Sequence, residues 1–271
     1  MAPKIVFIIP YRDREFDKIH YQLYMTYIME DYDPMDYEIY FSHQKDSRPF
    51  NRGATKNIGF LAIKNKYPEY KDITFVFNDI DILPCKKNFI NYETEEGTVK
   101  HFYGFKHCLG GIFSIKGADF ERCDGFINNW GWGWEDNQMC KTVKLNNIAI
   151  DHSEFYHYDD KNIMQMSKES IKLIVPREQA AYKSGLNSDT MSKIKNLTYT
   201  IDKTEQLSNR IIIPDNRFII NIDNFETELK HDDLQKLDYG EIYNKTIKNQ
   251  KSILSKPRRR GGIMKMAFSK N

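Results

Sequence analysis

Three short apolar runs, each closing on polar residues, constrain the fold of this 271-residue chain more than any other feature. They are "KIVFIIP" (4–10), "YEIYFSH" (37–43) and "DITFVFND" (72–79). Runs this short, rich in β-branched and aromatic residues, suit buried strands. Between them, "EFDKIHYQLYMTYIME" (15–30) carries apolar residues at helical spacing. "NRGATKNIGFLAIKNK" (51–66) reads as a second helix with an imperfect apolar face at Ile58, Leu61 and Ile63. The β-α-β-α-β order predicts an α/β sheet with parallel strands at its start. Ligands of such sheets bind beyond the carboxyl ends of the strands. Three polar motifs fall there: "PYRDRE", "SHQKDSRPFNR" and "NDIDILP".

Further along, "LGGIFSIKGADF" (109–120) reads as loop, strand and helix start, and "EDNQMCKTVKL" (135–145) as a helix with Met139, Cys140 and Val143 on one face. "IAIDHSEFYHYDD" (148–160) runs from a strand into a His/Asp cluster. Residues 160–196 are polar with helical pieces, and "LTYTID" and "NRFIINID" are late strands. Beyond residue 203 the pattern loosens. This predicts a domain over 1–203, an extension over 204–250 and a basic, flexible tail over 251–271, which contains "KPRRR" and offers a contact for an anionic partner.

A net charge of +2 argues against global affinity for nucleic acid or membrane. The opening apolar run stops at Pro10, too short for a signal core, and no run approaches the ~20 residues of a membrane span. The four cysteines fit no zinc spacing. The expectation is a soluble protein of a cytoplasm-like, reducing compartment.

Asp79 and Asp81 flank Ile80 directly after a strand. On an extended chain both carboxylates would point one way, a pair suited to Mn²⁺ or Mg²⁺ with a diphosphate. The alternative is a strand-end turn with solvated acids. Arg12, Arg14 and Arg52 are candidate phosphate forks or plain surface residues. His152, Glu154, His157, Asp159 and Asp160 form a possible ligand cluster. "WGWGWEDNQ" (130–138) is either core and lid aromatics with first-turn acids, or a sugar site.

Together these stretches resemble the β-1,4-galactosyltransferase family. "FIIPYRDRE", "FNRGATKNIGF", "FVFNDIDILP", "LGGIFSIKGADFERCDGFINNWGWGWEDNQM", "GLNSDT" and "LTYTI" follow the family's motifs in order over about residues 4–203. The resemblance implies a GT-A fold, a mixed central sheet flanked by helices, with a C-terminal extension. It implies inverting, Mn²⁺-dependent transfer of a hexose or N-acetylhexosamine from a UDP-sugar to a hydroxyl of a glycan or glycoconjugate. Galactose and N-acetylgalactosamine are the favoured sugars, and Mg²⁺ is the alternative ion. Asp136 would be the general base. Pro10, Tyr11, Arg12, Arg14, Phe50, Arg52, Asp79, Ile80 and Trp132 would hold the nucleotide and donor. Gly110, Gly111, Trp132, Glu135 and Asp136 would line the acceptor pocket. Asp81 and His157 would bind the metal, with Glu154 or Asp159 as a third ligand. Trp134 and Asn137 replace a glycine and an acid of the family pattern, and Cys108 stands where a tyrosine is frequent, so acceptor and donor choice stay open. A chondroitin-synthase-like hexosaminyltransferase, a catalytically weak carbohydrate-binding protein and a metal phosphohydrolase are the competing readings.

Overall fold

The computed structural model describes residues 2–131, 133–166, 171–174, 189–206, 213–229 and 235–238. Its elements are β1 (Ile5–Tyr11), α1 (Glu15–Ile28), β2 (Tyr37–Gln44), α2 (Arg52–Lys66), β3 (Thr74–Asn78), β4 (Ile82–Pro84), β5 (Thr98–Gly104) and β6 (Ile112–Lys116). There follow α3 (Gly117–Arg122), α4 (Glu135–Leu145), β7 (Ala149–Asp151), β8 (Tyr156–His157), β9 (Ile163–Gln165) and β10 (Ile171–Ile174). A 3-10 turn (Met191–Lys193), β11 (Lys195–Lys203), β12 (Arg217–Glu226) and β13 (Gln235–Asp238) complete the series.

The main sheet has the order β11-β12-β2-β1-β3-β6-β5-β7, with β8 also on β5. Strands β12, β2, β1 and β3 are parallel; β6 is antiparallel to β3 and β5, and β11 to β12. β1 sits near the middle, and all seven of its residues are buried. Its alternate side chains serve opposite faces: Val6 and Ile8 join the core under α2, α3 and α4, whereas Ile5, Phe7, Ile9 and Tyr11 join the core under α1. The two-faced burial explains why the first strands read as continuous apolar runs.

α2 looks irregular in sequence because nearly all of it is buried, from Arg52 to Phe60 and again at Ala62 and Ile63. Asn51 caps it by accepting the Ala54 amide at 2.9 Å. The expected helix over 135–145 is α4, and Met139, Cys140 and Val143 are its buried face.

The described part of 160–196 holds β9, β10, one 3-10 turn and the start of β11, and its residues 167–170 and 175–188 lie outside the described residues. One expectation changes. The boundary after residue 203 cuts through the sheet, because β12 lies between β11 and β2 and pairs with β2 in parallel from Arg217↔Ile39 to Ile222↔Gln44. Ile220, Ile222 and Phe225 are fully buried, so this strand belongs to the domain. Trp132, the "GLNS" stretch 185–188 and the basic tail lie outside the described residues. Among the described residues no helix is long and apolar enough to cross a membrane.

Candidate active site

Charged residues beyond the carboxyl ends of β2 and β3 are gathered with the first turn of α4 into one cluster. Arg52, in the first turn of α2, is 9% exposed. Its Nη2 donates to Asp79 after β3; its Nη1 donates to Glu135 and, at 2.9 Å, to Asp136 Oδ2, both in the first turn of α4. One turn further along α2, Lys56 is 1% exposed, and its Nζ donates to Asp136 Oδ1 at 3.1 Å. Both oxygens of Asp136 therefore face a cation. Burial alone would raise the pKa of this carboxyl; Arg52 and Lys56 outweigh burial and hold it below the ordinary carboxylate range. The Arg52 guanidinium is pushed the other way: burial disfavours its charge, but Asp136, Asp79 and Glu135 keep it firmly protonated.

The glycines make room for this cluster. A Cβ on Gly110 would lie 2.5 Å from Asp136 Oδ2, and Gly111 has φ +71 with its Cβ position 2.4 Å from the Tyr103 carbonyl. The Asp79 amide donates to the Gly111 carbonyl at 3.0 Å, and the Leu109 amide to the Asp136 carbonyl at 2.9 Å. Beneath them, buried His101 of β5 places Nε2 3.1 Å from the Tyr103 carbonyl and 3.2 Å from the Gly110 carbonyl, and Nδ1 3.2 Å from His152 Nε2. Burial lowers its pKa to about 4, so the ring is neutral at pH 7. Two carbonyls around Nε2 fix the proton there, and His152 donates to Nδ1. Cys108 accompanies this loop; burial, then the charge of Asp136, pushes its thiol up to about 12.

The D-x-D segment is a turn, not the extended chain expected. The Ile82 amide donates to the Asp79 carbonyl at 3.1 Å. The two acids consequently take different partners: Asp79 goes to Arg52, and Asp81 lies 3.3 Å from Arg14, which also holds Asp17 at 2.6 Å. Ile80 is 4% exposed and packs into the α1-side core. Burial and Asp79 raise the pKa of Asp81 against the pull of Arg14.

The remaining sequence candidates divide. Tyr11 donates to Glu15 at 2.7 Å, and Pro10 is buried in β1. Arg12 turns to the Arg48 carbonyl and to Asp13. The Phe50 carbonyl accepts the Gly131 amide at 2.9 Å, joining the α2 entry to the tryptophan segment. His157 ends β8 beside Gly104 at the carboxyl edge of β5. Asp159 follows, its amide donating to the Tyr103 hydroxyl at 3.2 Å, and the charges of Asp159 and Asp81 both act on that hydroxyl. Glu154 instead accepts the Asn91 amide at 3.3 Å and acts on Tyr32, which packs on Tyr37 at the opposite, amino end of β2.

A metal site is chemically apt but incomplete. Asp81 offers a desolvated oxygen donor with another carboxylate nearby, an arrangement that a divalent cation relieves. Among the described residues, though, no three His, Cys, Asp or Glu side chains are grouped closely enough to hold an ion. Asp81, just before β4, and His157, at the end of β8, are the candidate ligands, and an ion on them would take its other oxygens from substrate or water.

The two described tryptophans differ. Trp130 is 3% exposed; it stacks on Phe225 at 5.4 Å, lies under the Arg48 guanidinium, and donates Nε1 to the Leu229 carbonyl at 2.8 Å. Trp134 is 43% exposed and precedes α4 at φ +71, in the left-handed region that favours glycine. Lys56 and His101 went unnoticed in the sequence. The only local signal for Lys56 is its place one turn after Arg52 on the same helix.

Two family models match consecutive parts of the chain: the N-terminal region of glycosyl transferase group 7 over residues 1–93, and the N-terminal domain of galactosyltransferase over residues 95–169. The chain belongs to the β-1,4-galactosyltransferase family. It is 28% identical over 211 residues to β-1,4-galactosyltransferase 4 of Cricetulus griseus, covering 68% of this chain and 57% of that protein; the Homo sapiens protein gives the same figures. The chain thus spans little more than half the length of these curated relatives. The catalytic domain of Drosophila β-1,4-galactosyltransferase 7, solved with xylobiose, superposes with a TM-score of 0.62 at 19% identity, over 82% of this chain and 94% of that one. A variant of the same Drosophila enzyme, solved with manganese, UDP-Gal and xylobiose, matches equally well at 18% identity. The fold of this family member is therefore GT-A.

Proposed function

We propose that this chain is an inverting glycosyltransferase that moves galactose or N-acetylgalactosamine from a UDP-sugar to a glycan hydroxyl with the help of Mn²⁺. The observation that carries the reading is the Arg52 bridge, which gathers the D-x-D acid Asp79 and the α4 acids Glu135 and Asp136 beyond the strand ends. Family membership and the UDP-Gal and manganese bound by the Drosophila neighbour support it.

Inversion needs one base on the acceptor side and charge stabilisation on the leaving-group side. Asp136 suits the first role: it is anionic, only 20% exposed, and backed by the side-chain-free wall at Gly110 and Gly111. Glu135, beside it, would take an acceptor or donor hydroxyl. Asp81 and His157 would hold the cation, with Asp159 rather than Glu154 nearest to complete the set. When bound, that cation supplies positive charge at the diphosphate. Arg14 would exchange Asp81 for phosphate oxygens. Trp134, exposed at the start of α4, suits stacking on a sugar face, and the small Cys108 leaves space for an N-acetyl group.

The test is UDP release from a panel of UDP-hexoses and UDP-N-acetylhexosamines, with Mn²⁺ and with EDTA, across simple sugar acceptors. Acceptor-dependent release with one or two donors, lost in EDTA, is expected. Asp136→Asn should lower kcat by at least about 100-fold, as loss of general-base catalysis does, while UDP binding persists. Transfer at the wild-type rate by that variant removes Asp136 from the mechanism.

A further inference from the structure

Lys56 is a buried ammonium in the wall of the candidate site, and no motif assigns it a task. Burying a lysine is costly unless its charge is matched. This one is 1% exposed, points Nζ at Asp136 Oδ1 across 3.1 Å, and lies 4.4 Å from the centre of the Phe126 ring. Arg52 takes the other oxygen of the same carboxylate at 2.9 Å, from the same face of α2. Arg52 divides its guanidinium among Asp79, Glu135 and Asp136, whereas Lys56 gives its contact to Asp136.

We propose that Lys56 is the positioning residue of the transfer reaction: it fixes the Asp136 carboxylate in one orientation against Gly110 and keeps it anionic while Arg52 is shared. This rests on the reading of Asp136 as the base. The geometry supports a division of labour. Arg52 lies between the diphosphate-side acid Asp79 and the acceptor-side acids, so a bound donor competes for it. Lys56, on α2, is almost fully buried against the Phe126 ring, out of contact with solvent. A base gripped only by Arg52 would lose its orientation whenever Arg52 turned to the donor. Asp136 is acted on by Arg52 and Lys56 from α2, shares Arg52 with Glu135 of α4, and itself acts on His101 of β5 and Cys108 of the following loop. His101 is neutral above its pKa of about 4, and the Cys108 thiol is protonated, so the two cations set the charge state.

The experiment compares Lys56→Met and Lys56→Gln with wild type in steady-state transfer, each first checked by UDP binding and cooperative thermal unfolding. Lys56→Met should reduce kcat by about 10–100-fold, the range for losing a residue that orients a working group, with KM for the UDP-sugar little changed. The acid limb of the kcat/KM profile should move to higher pH, because Asp136 loses one of two cations that lower its pKa. Lys56→Gln keeps a neutral donor; it should recover part of kcat and leave the limb displaced. A folded Met variant with wild-type kcat and limb overturns the inference. So does a lowered kcat with an unmoved limb, which marks plain packing. If the Met variant does not fold, the limb of Lys56→Gln decides alone, and a wild-type position refutes the role. Transfer surviving in Asp136→Asn would instead sink the base reading itself; an inactive Asp136→Asn beside wild-type-like Lys56 variants sinks only this inference.

Discussion

His101 ties acid stability to the integrity of the site. Folding removes the ring from water and holds it neutral, with a pKa of about 4 against an ordinary 6.5. Between those values the unfolded chain binds a proton that the folded chain excludes. Stability is therefore full above pH 6.5 and is lost as pH falls toward 4, by an amount whose ceiling is about 3 kcal/mol for this one group. His43 and His152 are shifted the same way, first by burial, and add to the slope. Urea titrations across that window should show a flatter decline for His101→Gln, which cannot take up the proton; an unaltered slope would mean that another group carries it. Neither His101 nor Lys56 was legible in the sequence. Each sits inside a regular element where the local pattern suggests nothing unusual, and Lys56 acquires its meaning from a carboxylate 80 residues away. Arg52, Asp79, Glu135 and Asp136 were legible because they flank strand ends and a helix start, where chemistry gathers in α/β sheets.

Most elements could be read from their patterns, down to the three-residue β7, whereas β4, β5 and β9 could not. β1, β2, β3, α1 and α4 each carry enough apolar residues to show as strand or helix, whereas α2, buried nearly all round, shows only an imperfect apolar face. β4 and β9 are three residues each, stabilised by pairing with one another, and "NDIDILP" turns where alternation suggested extension. The docking of α2 is also invisible locally, yet it sets Arg52 and Lys56. At Gly53 a Cβ would fall 2.0 Å from the Ile127 carbonyl oxygen, a backbone atom with little freedom to retreat. Asn57 fastens the same contact by donating to the Phe126 carbonyl at 2.8 Å and to Asn128 at 3.0 Å. Gly53→Ala should therefore destabilise the protein by about 1–3 kcal/mol, the ordinary range of overpacking. The urea midpoint should fall and transfer should weaken with it, because both cations ride on the displaced helix. A midpoint equal to wild type would show that α2 can shift freely, and would undercut the rigid placement of Lys56.

At the scale of the whole molecule, the strand that sequence patterning set outside the domain is one of its inner strands. β12 satisfies the backbone of β2 on one side and β11 on the other, and Arg48 lies against both Trp130 and Phe225, locking the strand end to the tryptophan segment. Asp189 extends the same tie: it accepts from Asn128 at 2.8 Å and from the Leu229 amide at 2.7 Å. A chain ended after residue 203 would lose Ile213, Ile220, Ile222 and Phe225, all buried. At about 1.5–3 kcal/mol for each buried side chain, that loss rivals the whole ~5–15 kcal/mol stability of a domain. It would also leave β2 as an open edge and β11 without a partner. The truncated chain should fail to unfold cooperatively and should aggregate, whereas a chain ended after residue 238 keeps every strand of the main sheet and should melt as one unit. A cooperative, soluble 1–203 fragment that still binds UDP would show that β12 is an accessory, and would return the boundary to where the composition changes.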